Sequence, residues 1–181
     1  MNGFIHGLLG AFFPPMPEPL DEVEPGRVAV VRGRVVPRDL IRSPLSGSEC
    51  VYYRYTVEEW RRSTVGALGG DGFWQLTDRD EAIAEFYLQD GDHRALVAPF
   101  SARVEPRRGV TPRRVDLGAP DRRARELVLA PGDWIEVVGE VDRVDDLFDD
   151  GRDYRGSPTR LCLRAPTGKQ LLVRILHSRR A

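Results

Sequence analysis

The side chains that could bind a metal ion are few and stand far apart in this sequence. The three histidines, at positions 6, 93 and 177, have no second ligand at the spacing that metal sites use. The two cysteines, Cys50 and Cys162, do not form a Cys-x-x-Cys pair, so a four-ligand zinc module is not expected. Whether these cysteines form a disulfide is left open by the sequence. We predict no metal site.

Two residues are nucleophiles by type only. Ser46 lies in Ser-Pro-Leu-Ser-Gly, which is not the Gly-x-Ser-x-Gly turn of a hydrolase. Cys50 has no histidine that the sequence places beside it as an activating base. Both residues are predicted to be structural, and we predict that the chain is not an enzyme and has no catalytic residue.

Two stretches look like ligand-binding loops in composition but lack the required residues. When the acid-rich stretch Asp142–Asp153 is aligned on Gly151 as a calcium loop, Phe148 occupies the third position, which needs an oxygen ligand, and Ser157 stands where a bidentate glutamate should close the loop. The glycine-rich stretch Ser63–Gly72 contains no lysine, which a phosphate-binding loop requires. Both are predicted to be solvated loops, and we predict no cofactor.

The clearest structural pattern is the stretch Leu40–Trp60. Its Ser-Pro-Leu-Ser-Gly segment combines residues that favour a tight turn, so a chain reversal is expected there. Alternation from Cys50 onward predicts a strand with two different faces. One face carries Tyr53, Tyr55 and Val57 and is predicted to be core, and the other is more polar and begins at Tyr52.

Further strand patterns are separated by turn residues, and together they indicate an all-β protein. We predict an OB-like, closed or partly closed antiparallel barrel with a short N-terminal apolar helical segment. The acidic stretch Asp78–Ala84 is predicted to form one helical turn. The predicted strands are Arg27–Pro37 with a bulge or tight bend at Gly33, a short strand Phe73–Leu76, a hairpin of Glu85–Gln89 and Arg94–Ala98 about Asp90-Gly91, Trp134–Val141, and a last hairpin of Thr159–Ala165 and Gln170–Leu176.

Three motifs resemble the GIDE domain, also called BAM for "beside a membrane". They are SPLSG followed by CVYYRYTVEEW, the hairpin FYLQDGDHRALVAPF, and PGDWIEVVGEV. In eukaryotes this domain is the non-catalytic part of a membrane-anchored mitochondrial E3 ubiquitin ligase, and stand-alone or differently partnered versions occur in bacteria. The resemblance implies a bacterial-type version without the RING module or membrane spans, and it is an analogy of fold before it is one of function.

Length and composition indicate one domain with a tail. The chain has 181 residues and a net charge of −1, so no overall field draws it to nucleic acid or anionic lipid. We assign residues 1–22 to an apolar peptide with a proline-rich linker and residues 23–178 to a single domain. Because the sequence has neither a membrane-span candidate nor signal-peptide features, we expect a cytoplasmic protein, with location at a membrane periphery as an alternative.

The apolar run Gly3–Phe13 is the first candidate binding segment. On a helix its large side chains form one stripe. The stripe could pack on the barrel of the same chain, or it could dock on another protein or a membrane surface. The candidate partner-binding residues in it are Phe4, Ile5, Leu8, Leu9 and Phe12.

The arginine-rich stretch Glu105–Glu126 is the second candidate binding segment. Its candidate partner-binding residues are Arg107, Arg108, Arg113 and Arg114. A solvated loop is predicted there, because prolines lie among the arginines. Nucleic-acid contact is the alternative, but no aromatic residues alternate with the arginines to stack bases.

We therefore predict a non-catalytic protein-binding or scaffolding module, which acts beside a membrane or docks through its N-terminal apolar peptide. Another protein is the expected partner. An OB-type protein that binds single-stranded nucleic acid is the alternative, and the oligomeric state is left open.

Overall fold

The computed structural model describes residues 16–62, 72–145 and 159–177. Within these residues the chain forms strands and no helix, which confirms the all-β class. The thirteen strands are β1 Val28–Pro37, β2 Ile41–Arg42, β3 Glu49–Cys50, β4 Tyr52–Arg61, β5 Phe73–Ile83, β6 Phe86–Asp90, β7 His93–Val97, β8 Ala102–Pro106, β9 Arg113–Val115, β10 Arg122–Leu129, β11 Trp134–Asp145, β12 Thr159–Arg164 and β13 Leu171–His177.

Five of the strands close into a barrel in the order β1-β6-β7-β12-β11, and β11 pairs back with β1. β7 and β12 run parallel, so the barrel is mixed and the predicted antiparallel arrangement is wrong. The reason is the connection: β12 reaches β7 after the chain has passed through β8 to β11, and strands joined by a long crossover can pair in parallel. β8 and β13 form a second parallel pair outside the barrel.

The long strand β11 is shared by three neighbours. β1 pairs along one edge, while β13 and then β12 pair along the other. The predicted last hairpin is therefore wrong, since β12 and β13 pair with β11 instead of with each other. The strand assignments themselves are confirmed, as is the hairpin of β6 and β7, whose two-residue loop is Gly91-Asp92.

A second sheet projects from the barrel, with strands in the antiparallel order β5-β4-β10-β9. The stretch 78–84, predicted as a helical turn, belongs mainly to β5, which pairs with β4 from Phe73 to Ile83. The expected short strand Phe73–Leu76 is the start of β5. Because β5 is an edge strand with most side chains exposed, the rest of its sequence has no alternation of apolar and polar residues from which a strand could be predicted.

One hydrophobic core runs through the barrel and the base of the second sheet. Tyr52, Leu127 and Leu129 of the second sheet belong to the same buried cluster as Phe86 and Leu88 of the barrel. The predicted separation of the two faces of β4 is correct, but Tyr52 on the more polar face is fully buried, and Tyr55 on the expected core face is only half-buried. The polar face packs on the barrel at its base.

The predicted chain reversal at Ser-Pro-Leu-Ser-Gly is confirmed. It joins β2 to β3, and Ser43 donates its amide to the carbonyl of Ser48 at 3.0 Å. Gly47 has φ of +66°, a conformation that glycine adopts without strain.

The chain is described from Met16 onward, and Leu20 already lies in the core. The predicted helical segment at residues 4–13 lies outside the described residues, as do nearly all of the predicted glycine-rich loop and much of the acid-rich one. In the part that is described, no helix is long and apolar enough to cross a membrane.

Candidate binding surface

The four candidate arginines of the stretch Glu105–Glu126 lie in three different places, because the stretch is not one solvated loop but contains β9 and the start of β10. Arg107 and Arg108 are exposed in the turn after β8, where the Arg107 amide donates to the carbonyl of Ile175 at 2.9 Å. Arg113 and Arg114 are exposed neighbours on β9. Because successive side chains of a strand point to opposite faces, these two lie on opposite sides of the second sheet.

Arg114 belongs to a row of side chains that crosses all four strands of the second sheet. Arg114 pairs with Arg125, Arg125 with Thr56, and Thr56 with Arg79. Paired residues share a face, so three exposed arginines from β9, β10 and β5 stand on one side. We call this side the basic face.

The basic face carries more positive than negative charge. Its arginines are Arg54, Arg79, Arg114, Arg123 and Arg125, and its acids are Glu58 and Glu81. Glu58 accepts a hydrogen bond from Arg123 at 2.6 Å, which holds the pKa of Glu58 below its ordinary value. The other four arginines make no ion pair within 4.0 Å among the described residues, so their charges remain available to a partner.

An exposed aromatic end lies next to the basic face. Trp60 and Trp74 pair across β4 and β5 with ring centroids 5.3 Å apart, and the Arg123 guanidinium lies 4.2 Å from the Trp74 ring. Trp60 is 39% exposed, and Leu76 and Phe73 are 49% and 54% exposed. Apolar side chains of this size rarely cluster on a solvated surface unless they contact something else.

On the opposite side of the second sheet, polar side chains of β4 and β5 are paired with each other by hydrogen bonds. Tyr53 donates to Asp80 at 2.8 Å, and Tyr55 donates to Asp78 at 3.1 Å. The bond to Asp80, together with burial, raises the pKa of Tyr53. These groups hold β4 against the edge strand β5, and we assign them a structural role.

A groove of about 580 Å³ lies on the outer side of the barrel sheet. Glu136 forms its charged floor and accepts hydrogen bonds from Arg32 and Arg174, each at 2.9 Å. Met16, the first described residue, lines the groove.

The ion cluster of Glu136 predicts an acid-sensitive component of stability. Burial alone would raise the pKa of Glu136, but the hydrogen bonds from Arg174 and Arg32 outweigh burial and lower the pKa from its ordinary value of 4.5. A carboxyl group with a lowered pKa stabilises the fold above its unfolded-state pKa, and this stability is lost as the pH falls through the folded-state pKa.

We therefore expect Glu136→Gln to reduce the free energy of unfolding by about 1–3 kcal/mol near neutral pH, a value that allows for the partial exposure of both arginines. The difference from the wild type should shrink below about pH 4.5. Urea unfolding of both proteins between pH 7 and pH 3 measures this. A difference that stays constant down to pH 3 would contradict the assignment.

The described residues offer little nucleophilic or metal chemistry. Cys50 and Cys162 are buried and form no disulfide, and burial raises the pKa of the Cys162 thiol, which disfavours its reactive thiolate. In residues 16–62, 72–145 and 159–177, no three His, Cys, Asp or Glu side chains cluster closely enough to hold a metal ion.

Comparisons with protein-family models, curated proteins and solved structures found no match for this chain. The candidate surface therefore rests on its own geometry. Sequence reasoning placed Arg123 and Arg125 in the arginine-rich stretch but not among the candidate binding residues. It missed Arg54 and Arg79, because they come from two other strands. The sequence places arginines at polar-face positions of β4 and β10, but these arginines can be recognised as one surface only when the strand pairing is known.

Proposed function

We propose that the protein is a non-catalytic protein-binding module that contacts an acidic surface of its partner through the basic face. The observation that carries this proposal is the row Arg114–Arg125–Thr56–Arg79, whose three arginines have no ion pair among the described residues. Clustered unpaired arginines steer and orient an oppositely charged partner. The exposed Trp60 beside them could provide the buried aromatic contact on which protein interfaces depend.

The state of the aromatic rings favours a protein over a nucleic acid as the partner. One face of the Trp74 ring is already covered by Arg123, and Trp60 makes an edge contact with the same ring. Base stacking needs a free ring face, whereas a protein interface can use the exposed edges of the pair.

Binding of single-stranded nucleic acid is the second candidate function, and a different surface favours it. The barrel order β1-β6-β7-β12-β11 with its parallel β7–β12 pair supports an OB-type assignment. On its outer side, Trp134, Arg34, Gln89 and Arg94 form a row of paired residues. The Arg34 guanidinium lies 5.9 Å from the centre of the Trp134 ring. Arginines and aromatic rings also occur together in grooves that bind single-stranded nucleic acid.

The apolar N-terminal peptide is proposed as a second contact with a partner protein or a membrane surface. Met16, the first described residue after this peptide, lines the outer groove, where apolar and charged groups lie together. A bound protein or a membrane surface could be held by Phe4, Leu8 and Phe12 while the basic face makes the charged contact.

The proposal predicts that charge reversal on the basic face removes partner binding. We expect the triple variant Arg79→Glu, Arg114→Glu, Arg125→Glu to weaken binding of a soluble poly-L-glutamate probe at least roughly tenfold, because each exposed charge contributes modestly and the three act together. Binding of the fluorescent probe to the full chain is measured by anisotropy at two salt concentrations.

Two matched variants locate the contact. Arg107→Glu with Arg108→Glu changes exposed charge in the turn after β8, and Phe4→Ser, Leu8→Ser, Phe12→Ser changes only the N-terminal peptide. Neither variant should lose affinity for the probe as the triple variant does. Equal loss in the turn variant would place the contact outside the basic face. Tighter, steeply salt-dependent binding of a single-stranded oligonucleotide in a mobility-shift assay would favour the second candidate.

A further inference from the structure

A small cavity lies beside the turn Ser43–Ser48, on the side of the second sheet opposite the basic face. It has a volume of about 70 Å³ and opens to solvent. A cavity needs about 10–15 Å³ for one water-sized group, so this one holds about five non-hydrogen atoms. Its walls are mainly apolar, and a carboxylate, that of Glu126, lies among them.

Glu126 is an unusual residue for such a wall, because it is only 2% exposed. Its Oε1 atom accepts hydrogen bonds from the hydroxyl of Ser43 and, at 3.3 Å, from the amide of Ser46. Its Oε2 atom makes no hydrogen bond with any described residue. The turn therefore holds the Glu126 carboxylate in place through two donors to the same oxygen atom.

The Glu126 carboxylate has no counter-ion among the described residues. Arg113 lines the same cavity and pairs with Glu126 in the strand register, but no ion pair within 4.0 Å joins them. Taking a carboxylate out of water without a cation is costly, and a cation that enters the cavity would offset this cost.

We propose that this cavity binds a primary alkylammonium group, with the Glu126 carboxylate as its counter-ion. The size of the cavity fits a lysine side chain, whose stem and ammonium group comprise about five non-hydrogen atoms. Val110 and Val128 contact the aliphatic stem, and the free Oε2 atom accepts a hydrogen bond from the ammonium. A divalent metal ion does not suit the site, because only one carboxylate lines it.

The test is an NMR titration of the full-length protein with three probes of similar size: n-butylammonium, n-butanol and butyrate. We expect saturable shifts from n-butylammonium alone, confined to residues around Glu126, with a Kd on the order of 1 mM for so few atoms. Equal binding of n-butanol would show an apolar cavity without charge recognition and would overturn the proposal. This comparison uses only the wild-type protein and does not depend on a variant folding.

Two variants test the role of the carboxylate. Glu126→Gln keeps the shape and the hydrogen-bond acceptor, and it should weaken n-butylammonium binding at least roughly tenfold, whereas Glu24→Gln at an exposed position should leave it unchanged. Arg113→Gln removes a like charge and should leave binding equal or tighter. If Glu126→Gln and Arg113→Gln instead destabilise the fold equally, and the double variant no further, the two residues pair in solution and the proposal is wrong.

A final arm identifies the source of the ammonium group. A glycine-flanked lysine peptide and its norleucine counterpart are titrated in the same way. Binding of the lysine peptide alone, at least as tight as n-butylammonium, supports a lysine presented by a partner protein. If n-butylammonium binds and the peptide does not, the site takes a free amine. If neither binds, there is no ammonium site.

Discussion

Replacing Tyr52 with alanine is expected to unfold the barrel and the second sheet together. The Tyr52 side chain is fully buried and belongs to the core that the two sheets share. Its hydroxyl donates to Glu81 at 2.8 Å, and burial together with this bond raises the pKa of Tyr52. Removing the ring would leave a cavity at the junction, which typically costs about 3–5 kcal/mol. That is a large fraction of the stability of an ordinary domain.

Urea unfolding followed by tryptophan fluorescence and far-UV circular dichroism measures this loss. Trp60 and Trp74 report on the second sheet and Trp134 on the barrel, so a shared core predicts one coincident transition. Tyr55→Ala is the matched control, because Tyr55 lies on the same strand but is half-buried and outside the core cluster. Tyr52→Phe separates the hydroxyl from the ring. Separate transitions for the two sheets, or an equal loss in Tyr55→Ala, would contradict a shared core.

The strands that sequence reasoning found are those whose signal is local. The hairpin of β6 and β7 has a glycine and an aspartate in its turn and strand residues on either side, and β11 alternates apolar and polar residues over most of its length. The turn before β3 was found for the same reason. In each case the residues that determine the structure are neighbours in the chain.

The errors arise where the structure depends on distant pairing. The parallel pair of β7 and β12 joins residues that are far apart in the sequence, and no turn motif indicates it. Most of β5 was missed, because beyond Leu76 neither of its faces is consistently apolar, and only its pairing with β4 makes that part a strand. The basic face also depends on pairing between residues that are distant in the sequence. Arg79, Arg114 and Arg125 become neighbours only through the register of the second sheet.

Gly33 was singled out from the sequence, and the structure shows why a glycine is required at this position. It was expected at a bulge or tight bend, and the pairing of β1 with β11 continues through it without a shift in register. A Cβ atom at this position would lie 2.4 Å from the carbonyl oxygen of Gln89 and 3.0 Å from the Leu88 side chain. Gly33 therefore allows β1 to approach β6 at the point where β1 passes from one neighbour to the other.

Gly33→Ala is expected to disrupt the closure of the barrel. The contact is with backbone, which cannot rotate away, so the strands must separate, and we expect a loss of about 3 kcal/mol or more. Gly47→Ala is the matched control, because a Cβ there meets no atom within 4 Å and costs only the strain of a positive φ, about 1–2 kcal/mol. Chemical unfolding gives both values, and hydrogen exchange of the Gln89 amide region shows whether the β1–β6 pairing opens. If Gly33→Ala reduces the free energy of unfolding by no more than Gly47→Ala does, β1 and β6 can adjust to a side chain at position 33. The close approach of the two strands would then not explain why this residue is a glycine.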